Sequence, residues 1–508
     1  MKPPKVVLYY PRCFGPTRPT VGRVPLPLIA ASTFLERDKF KIVIAYDMLQ
    51  KNSVDTVLKE CEDAVCLGIS AMTGYQIIDG LKVAKLVKKK YPDLPIVWGG
   101  WHPSLEPETT IKSPYVDIVV RGQGERTFYE LVKALVEGRS LEGILGISFK
   151  NDGRIVHNPE RPLEDINNFP PYPYYLIDVE KCLFNNEFGG RVINYVSAYG
   201  CVYRCGFCAE LPVHKRRWLA LDPIRMVDEI EELVKKYNPD VISFDDSEFF
   251  ISKKRVKTFC EELLKRGLRI KWCNANGRID NLLRYEDEMW DLIVKAGCKE
   301  ILVGAESGFQ KALDFMTKDL KVEQIIEFSK KCKKYGIKVC FSLCLGMPWS
   351  KDYEKCKKLI DEEIKHTMDI ADKLYRICNR FRFLWCVFTP YPGSALYRKA
   401  IEIGWEPPKT LEEWGQWAFS PKQPIPPWIT KEQVKLINML GCYISYFLDR
   451  DSYYWTTERV NNPFFRLIFK GIFRIFEIIA LIRWRLRFFK IPIDYRIYLW
   501  ARDHLKVA

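Results

Sequence analysis

The chain has 508 residues, 47% of them hydrophobic and 28% charged, which is long enough for two to four domains and too apolar for disorder. Its 17 cysteines are odd in number and scattered, and no secretory signal opens the sequence, so a disulfide framework is not expected and a reduced, cytoplasmic setting is. The formal charge of +15 calls for acidic partners and is uneven, since residues 454–508 hold 11 Lys/Arg against 4 Asp/Glu.

From the amino terminus, apolar runs alternate with helical patterns. Strands are predicted at 5–10, 41–46, 64–70, 95–100 and 117–122, with helices such as 28–38 and 75–91 between them. Five such units within residues 1–140 predict an α/β domain with a doubly wound, Rossmann-like parallel sheet. Sheets of this kind hold ligands outside the carboxyl ends of their strands. At those ends stand "SAMTG" with Ser70 and Thr73, "GGWHPS" with Gly99, Gly100 and His102, and "GQGERTF" with Gly122, Gly124 and Glu125. Singly, each reads as a tight strand-to-helix turn. Three around one sheet edge point to a bound cofactor.

Residues 141–190 read as a connector, with a hairpin in "ISFKNDGRIVHN" and an irregular, proline-rich "NNFPPYPYY". A second alternation follows. Strands are predicted at 192–197, 241–246, 270–276, 300–306, 338–346 and 381–390, separated by amphipathic helices. Six strand–helix units over 191–400 predict a partial (β/α)6 barrel, whose chemistry belongs at the strand carboxyl ends. Residues 401–508 read as an α-helical region.

In the loop after the first barrel strand, "SAYGCVYRCGFCAE" spaces Cys201, Cys205 and Cys208 as C-x3-C-x2-C. No fourth Cys or His lies close by; His214 is six residues past Cys208. A structural zinc site wants four protein ligands. Three thiolates instead suit three irons of a cubane, leaving the fourth iron open. Most of the remaining cysteines read as small core hydrophobes.

This motif, with Phe207 just before its last cysteine, resembles the signature of radical S-adenosylmethionine (SAM) enzymes. The preceding sheet, with its "GGWHP" and "GQGER" loops, is similar to the cobalamin-binding domain fused to many of them. Downstream, "GAESGFQKALDFM", "LGMPW" and "FTPYPGS" resemble the same subfamily. The resemblance implies a 4Fe-4S cluster on Cys201, Cys205 and Cys208, S-adenosyl-L-methionine docked on the open iron, and a 5′-deoxyadenosyl radical that takes hydrogen from an unactivated carbon. It places Phe207, Asp245 (with Asp246 beside it), Asn276, Arg278, Glu306, Gly346 and Tyr391 around SAM. It places Ser70, Thr73, Gly99, Gly100, His102, Gly122, Gly124 and Glu125 around cobalamin. The D-x-H-x-x-G motif that supplies a lower cobalt ligand in many relatives is missing, which implies the group that binds cobalamin without a histidine. The loop 11–22, with Cys13, stands in its place.

The implied activity is C-methyl transfer to a lipophilic small molecule, with a reductant such as ferredoxin or flavodoxin as partner. Cyclisation or carbon–carbon coupling without methyl transfer is the alternative, and a non-catalytic iron–sulfur or cobalamin carrier a further one. A methylthiotransferase would want a second cluster, and the spacing of Cys13, Cys61 and Cys66 does not suit one. Residues 461–500 interleave Phe, Ile, Leu and Trp with arginine. Their charge-free runs are shorter than the roughly 18–20 apolar residues of a membrane span. Arg466, Lys470, Arg474 and Glu477 form one polar stripe, as on an interfacial helix at an anionic bilayer. A helix docked on the barrel with its charges solvated fits the same pattern. Large aliphatics outnumber groups that could read a strand, so nucleic acid is not expected as a partner.

Overall fold

The computed structural model describes residues 2–15, 22–418, 423–449, 451, 457 and 462–505. Residues 16–21 of the loop 11–22 thus lie outside the described residues. The first sheet begins with five parallel strands: β1 (Lys5–Tyr9), β2 (Lys41–Ala45), β3 (Ala64–Ser70), β4 (Ile96–Gly99) and β5 (Ile118–Val120). Their order is β2-β1-β3-β4-β5, so strand addition reverses between β1 and β3. That reversal opens a crevice at the carboxyl ends. The strands are apolar nearly throughout because helices cover both faces. Leu26–Arg37 packs with Gly124–Glu137, and Ser53–Glu60 with Tyr75–Lys90.

The hairpin assigned to the connector belongs elsewhere. Its strands β6 (Ile147–Asn151) and β7 (Arg154–His157) turn through left-handed Asp152 and Gly153. β6 pairs antiparallel with β5, so the hairpin closes the edge of the first sheet. A parallel edge would otherwise stand open to another chain.

The second domain contains β8 (Phe184–Asn186), β9 (Gly189–Tyr195), a small ribbon of β10 (Ala198–Gly200) and β11 (Trp218–Ala220), then β12 (Val241–Phe244), β13 (Lys271–Cys273), β14 (Ala275–Gly277), β15 (Glu300–Glu306), β16 (Lys338–Leu345) and β17 (Arg382–Val387). They form two four-stranded sheets, β8-β9-β12-β13 and β14-β15-β16-β17. The seam between them is a single residue, Asn274, whose φ of 58° interrupts the third barrel strand. A bridge between Trp272 and Cys298 spans it. Six parallel stretches therefore make one open barrel wall, with β8 antiparallel at its edge.

The C-terminal helices serve both domains. Leu411–Trp417 packs against Tyr75–Lys90 of the first domain. Tyr75 N donates to Ala418 O at 3.1 Å. A Cβ on Gly74, whose φ is +109°, would lie 2.1 Å from that carbonyl, so only glycine admits this approach. The glycine of "SAMTG" thus seats the C-terminal segment rather than a ligand. Pro463–Leu486 lies on the outside of the barrel, where Trp484 Nε1 donates to Asp372 Oδ1 at 3.0 Å and its ring meets Trp385. Arg483 pairs with Asp494 at 2.8 Å and ties this helix to Ile493–Leu505. No helix among the described residues is long and apolar enough to cross a membrane.

Candidate functional site

The cysteine loop leaves the barrel after β9 and is held from both sides. Gly206 N donates to Met316 O at 2.7 Å, and Leu396 N donates to Gly206 O at 2.8 Å. Inside the loop, Cys208 N donates to Cys205 O at 3.1 Å. Burial pushes the Cys201 thiol up to about 11 and the Cys208 thiol up to about 12, and nearby thiols of the trio add to both shifts. Without compensating positive charge these groups stay protonated. That charge is close by. Arg278 Nη1 donates to Cys205 Sγ at 3.4 Å while its guanidinium lies 4.0 Å from the Tyr203 ring centroid. Lys318 Nζ sits 5.9 Å from the Phe207 ring centroid and pairs with Glu306 Oε1 at 3.0 Å.

The trio fits an iron–sulfur cluster. Among the described residues no three His, Cys, Asp or Glu side chains converge on one ion. Two cations beside the trio suit the net negative charge of a thiolate-bound cluster.

The expected SAM-side residues are placed as follows. Phe207 lies within the cysteine loop, and Arg278 stands against it. Glu306 ends β15 in a left-handed conformation, φ 60°, a strained state that its buried partner Lys318 fixes. Asn276 Nδ2 donates to Asp246 O at 2.7 Å and braces the loop after β12. Asp246 is buried, accepting from Ser197 N at 2.6 Å and facing the Arg255 charge. Gly346 follows β16; its N–H donates to Glu363 Oε2 at 3.1 Å, and its carbonyl accepts from Trp428 Nε1 at 2.9 Å. Tyr391 follows β17, half-buried, near Cys344 and Cys386.

A cavity of about 410 Å³ separates the carboxyl edge of the first sheet from the barrel mouth. Ser70, Gly99, Gly100, Gly122, Gly124 and Glu125 line its first-domain side; Asn194, Tyr199, His214 and Asp245 line the other. It lies at the switch point of the sheet, between glycine-edged loops and apolar residues such as Leu8, Val97 and Phe128. This environment fits a flat macrocycle whose edge meets backbone. Thr73 and His102 are not on the cavity wall. They lie behind it, Thr73 Oγ1 3.0 Å from His102 Nδ1, with the imidazole against Trp414. Burial holds that imidazole neutral, its pKa pushed down to about 3.

Several residues of the site escape a reading of the sequence. Asp245 does not face the cysteine loop. It takes Arg23 of the first domain at 2.7 Å and Asn194 Nδ2 at 3.1 Å, on the cavity wall. Glu210 and His214 connect the two halves of the site. Glu210 N donates to Cys208 Sγ at 3.4 Å, and Glu210 Oε2 lies 2.7 Å from His214 Nδ1. Their i, i+4 spacing was the available signal. Arg23, Lys318 and Glu363 reach the site from distant segments and gave none.

Comparison with known proteins agrees with this geometry. Residues 195–360 match the family model of the radical SAM superfamily, and residues 24–132 that of the B12 binding domain. An uncharacterized methyltransferase of Pyrococcus horikoshii is 31% identical over 408 residues, covering 79% of this chain and 84% of the relative. The chain belongs to the cobalamin-binding radical SAM enzymes. The anaerobic magnesium-protoporphyrin IX monomethyl ester cyclase of Rubrivivax gelatinosus is 30% identical, over 66% of this chain and 58% of its own length. Among solved structures, the cobalamin-dependent SAM radical enzyme OxsB superposes with a TM-score of 0.70 at 18% identity, over 99% of this chain and 75% of OxsB. The radical SAM methyltransferase TsrM from Kitasatospora setae gives 0.64 at 16% identity, over 94% and 99%. As a member of this family the enzyme uses a 4Fe-4S cluster, SAM and cobalamin, and the carrier reading falls away.

Proposed function

We propose that this radical SAM enzyme is a C-methyltransferase that acts on an unactivated carbon of a small molecule. The observation that carries the reading is the Glu210–His214 link. Glu210 touches Cys208 of the cysteine loop, and His214 lines the cavity at the sheet edge. One substrate between them would be within reach of both cofactors.

When bound, the cofactors supply a carbon-centred radical for hydrogen abstraction and a methyl group to transfer. The chain's own residues do the rest. Cys201, Cys205 and Cys208 would hold the cluster, with Arg278 and Lys318 offsetting its charge. Glu363 and Trp428 fix the backbone N–H and C=O of Gly346, which would lie along the SAM adenine. Ser70, Gly99, Gly100, Gly122, Gly124 and Glu125 would cradle cobalamin, and Asp245 with Arg23 would close the cavity from the side. Glu125, on the cavity wall, has its carboxyl pushed up by burial and would face the cobalamin edge.

The similarity to the anaerobic cyclase supports a second reading, ring closure without methyl transfer. A lipophilic substrate is part of the proposal, supported by the exposed apolar residues of the last two helices. Anaerobic turnover with a low-potential reductant, methyl-labelled SAM and lipid extract separates these readings. Label in product with 5′-deoxyadenosine formed supports methylation. Deoxyadenosine with unlabelled, modified product supports cyclisation. Cys205→Ala is the control and should abolish both.

A further inference from the structure

The last two helices carry their apolar residues on the wrong side for a globular protein. Pro463–Leu486 packs Phe473, Ala480 and Trp484 against its neighbours. At 3.6 residues per turn, the opposite side carries Leu467, Ile468, Ile475, Ile478, Ile482 and Leu486. Leu467 is 71% exposed and Leu486 72%. Ile493, Ile497 and Trp500 continue this surface on the second helix at spacings of four and three. Fifteen of the 25 exposed large hydrophobics among the described residues fall between Phe464 and Trp500. An outward apolar stripe of this extent marks an interaction surface.

Charge decides what covers it. Residues 462–505 hold nine lysines and arginines against three carboxylates. Glu477 already pairs with Arg474, and Asp494 with Arg483. On the flank of the helix a cavity of about 420 Å³ is lined by Lys333, Arg376 and Arg485, with Tyr375 and Asn379, and by no carboxylate. Asp372 beside it pairs with both arginines, at 2.7 and 3.1 Å. A second copy of the chain would bring the same cationic rim to a two-fold interface and be repelled. An anionic bilayer complements it, with aliphatics entering the headgroup boundary and basic side chains meeting phosphate.

We propose that residues 463–500 dock the enzyme on an anionic lipid surface, with exposed basic side chains such as Lys490 and Arg496 meeting lipid phosphate. This goes beyond the reaction proposed above and does not depend on it, because its readout is vesicle binding and not turnover. The test is flotation of the anaerobic holoenzyme with vesicles of phosphatidylcholine alone or mixed with phosphatidylglycerol, across a salt series. Binding to the mixed vesicles should exceed binding to neutral ones by at least roughly tenfold and fall as salt rises. Ile475→Glu with Ile482→Glu should lose binding by a similar factor, as should Lys490→Glu with Arg496→Glu. Binding that ignores lipid charge, or no flotation at all, overturns the proposal. So does light scattering that shows a dimer which the isoleucine variant dissociates. If a variant misfolds, the lipid and salt dependence of the unmodified enzyme decides alone.

Discussion

Arg278 shows how much one side chain can settle. It donates to Cys205 Sγ, to Asp280 at 2.9 Å and to the Lys318 carbonyl at 2.5 Å, so the cysteine loop, the third barrel strand and the segment after β15 meet on one guanidinium. Arg278→Gln removes its charge and its fork. Charge-assisted bonds contribute about 1.5–3 kcal/mol, so SAM cleavage should slow roughly tenfold or more with iron content retained. Equal deoxyadenosine rates in the two proteins would refute the assignment. Glu363 makes a different prediction. Its carboxyl is buried and pushed up from 4.5 to about 8, although it accepts from Gly346 N. Between those values the folded state binds a proton that the unfolded chain has released, so stability falls as pH rises through the window. Below the window both states are protonated and the effect vanishes. Glu363→Gln should flatten the decline of Tm between about pH 5 and pH 8, the interval set by that shift. Parallel curves for the two proteins would count against it. Of these residues, Arg278 was visible because it follows a predicted strand in the barrel alternation. Glu363 was not, since it lies mid-helix, where a carboxylate ordinarily faces solvent.

At the scale of elements, the strands were legible for a physical reason. The parallel strands of both domains are largely buried, so they read as short, nearly unbroken apolar runs between amphipathic helices. The predicted 64–70 and 300–306 coincide with β3 and β15. What the pattern could not show is a break without an apolar signature. Asn274 splits one predicted strand into β13 and β14 by conformation alone. Nor could the hairpin's own sequence say which sheet it joins, because that is fixed by pairing with β5 across a distant segment. The turn after β16 was expected beside SAM through Gly346, and its geometry gives a test. Gly346 has φ +90°, with Ile429 Cδ1 2.8 Å from an added Cβ. Gly346→Ala should cost about 1–3 kcal/mol of stability from backbone strain. Because the backbone N–H and C=O of Gly346 are tied to Glu363 and Trp428, the strain should also weaken SAM binding, by roughly tenfold for each 1.4 kcal/mol that reaches the site. Calorimetric titration with SAM and a thermal melt read the two effects separately.

For the whole molecule, function depends on how the two domains face each other across the cavity, and a buried asparagine controls this. Asn194, in β9, is 2% exposed. Its Oδ1 accepts from Val24 N at 2.9 Å, and its Nδ2 donates to Val24 O at 3.1 Å and to Asp245 at 3.1 Å. One barrel side chain thus satisfies both backbone groups of a residue in the first domain, just ahead of the helix Leu26–Arg37. The adjoining Arg23–Asp245 pair is partly exposed and contributes little by itself. Asn194→Ala leaves the buried Val24 N–H without its partner, at about 1–3 kcal/mol, while the Val24 carbonyl still accepts from Leu26 N at 2.8 Å. The lost contact joins the barrel strand β9 to the first domain, so the cost falls on their juxtaposition. Cobalamin retained per chain after gel filtration should therefore drop, by roughly tenfold in affinity for each 1.4 kcal/mol lost. The cysteine loop is pinned within the barrel by Met316 and Leu396, so reductive SAM cleavage should survive. The expected phenotype is uncoupling: deoxyadenosine continues while modified product disappears, and added cobalamin restores product in part. If cleavage and cobalamin retention fell together, the cluster and the cavity would be one cooperative unit, and the independent anchoring of the cysteine loop would be wrong.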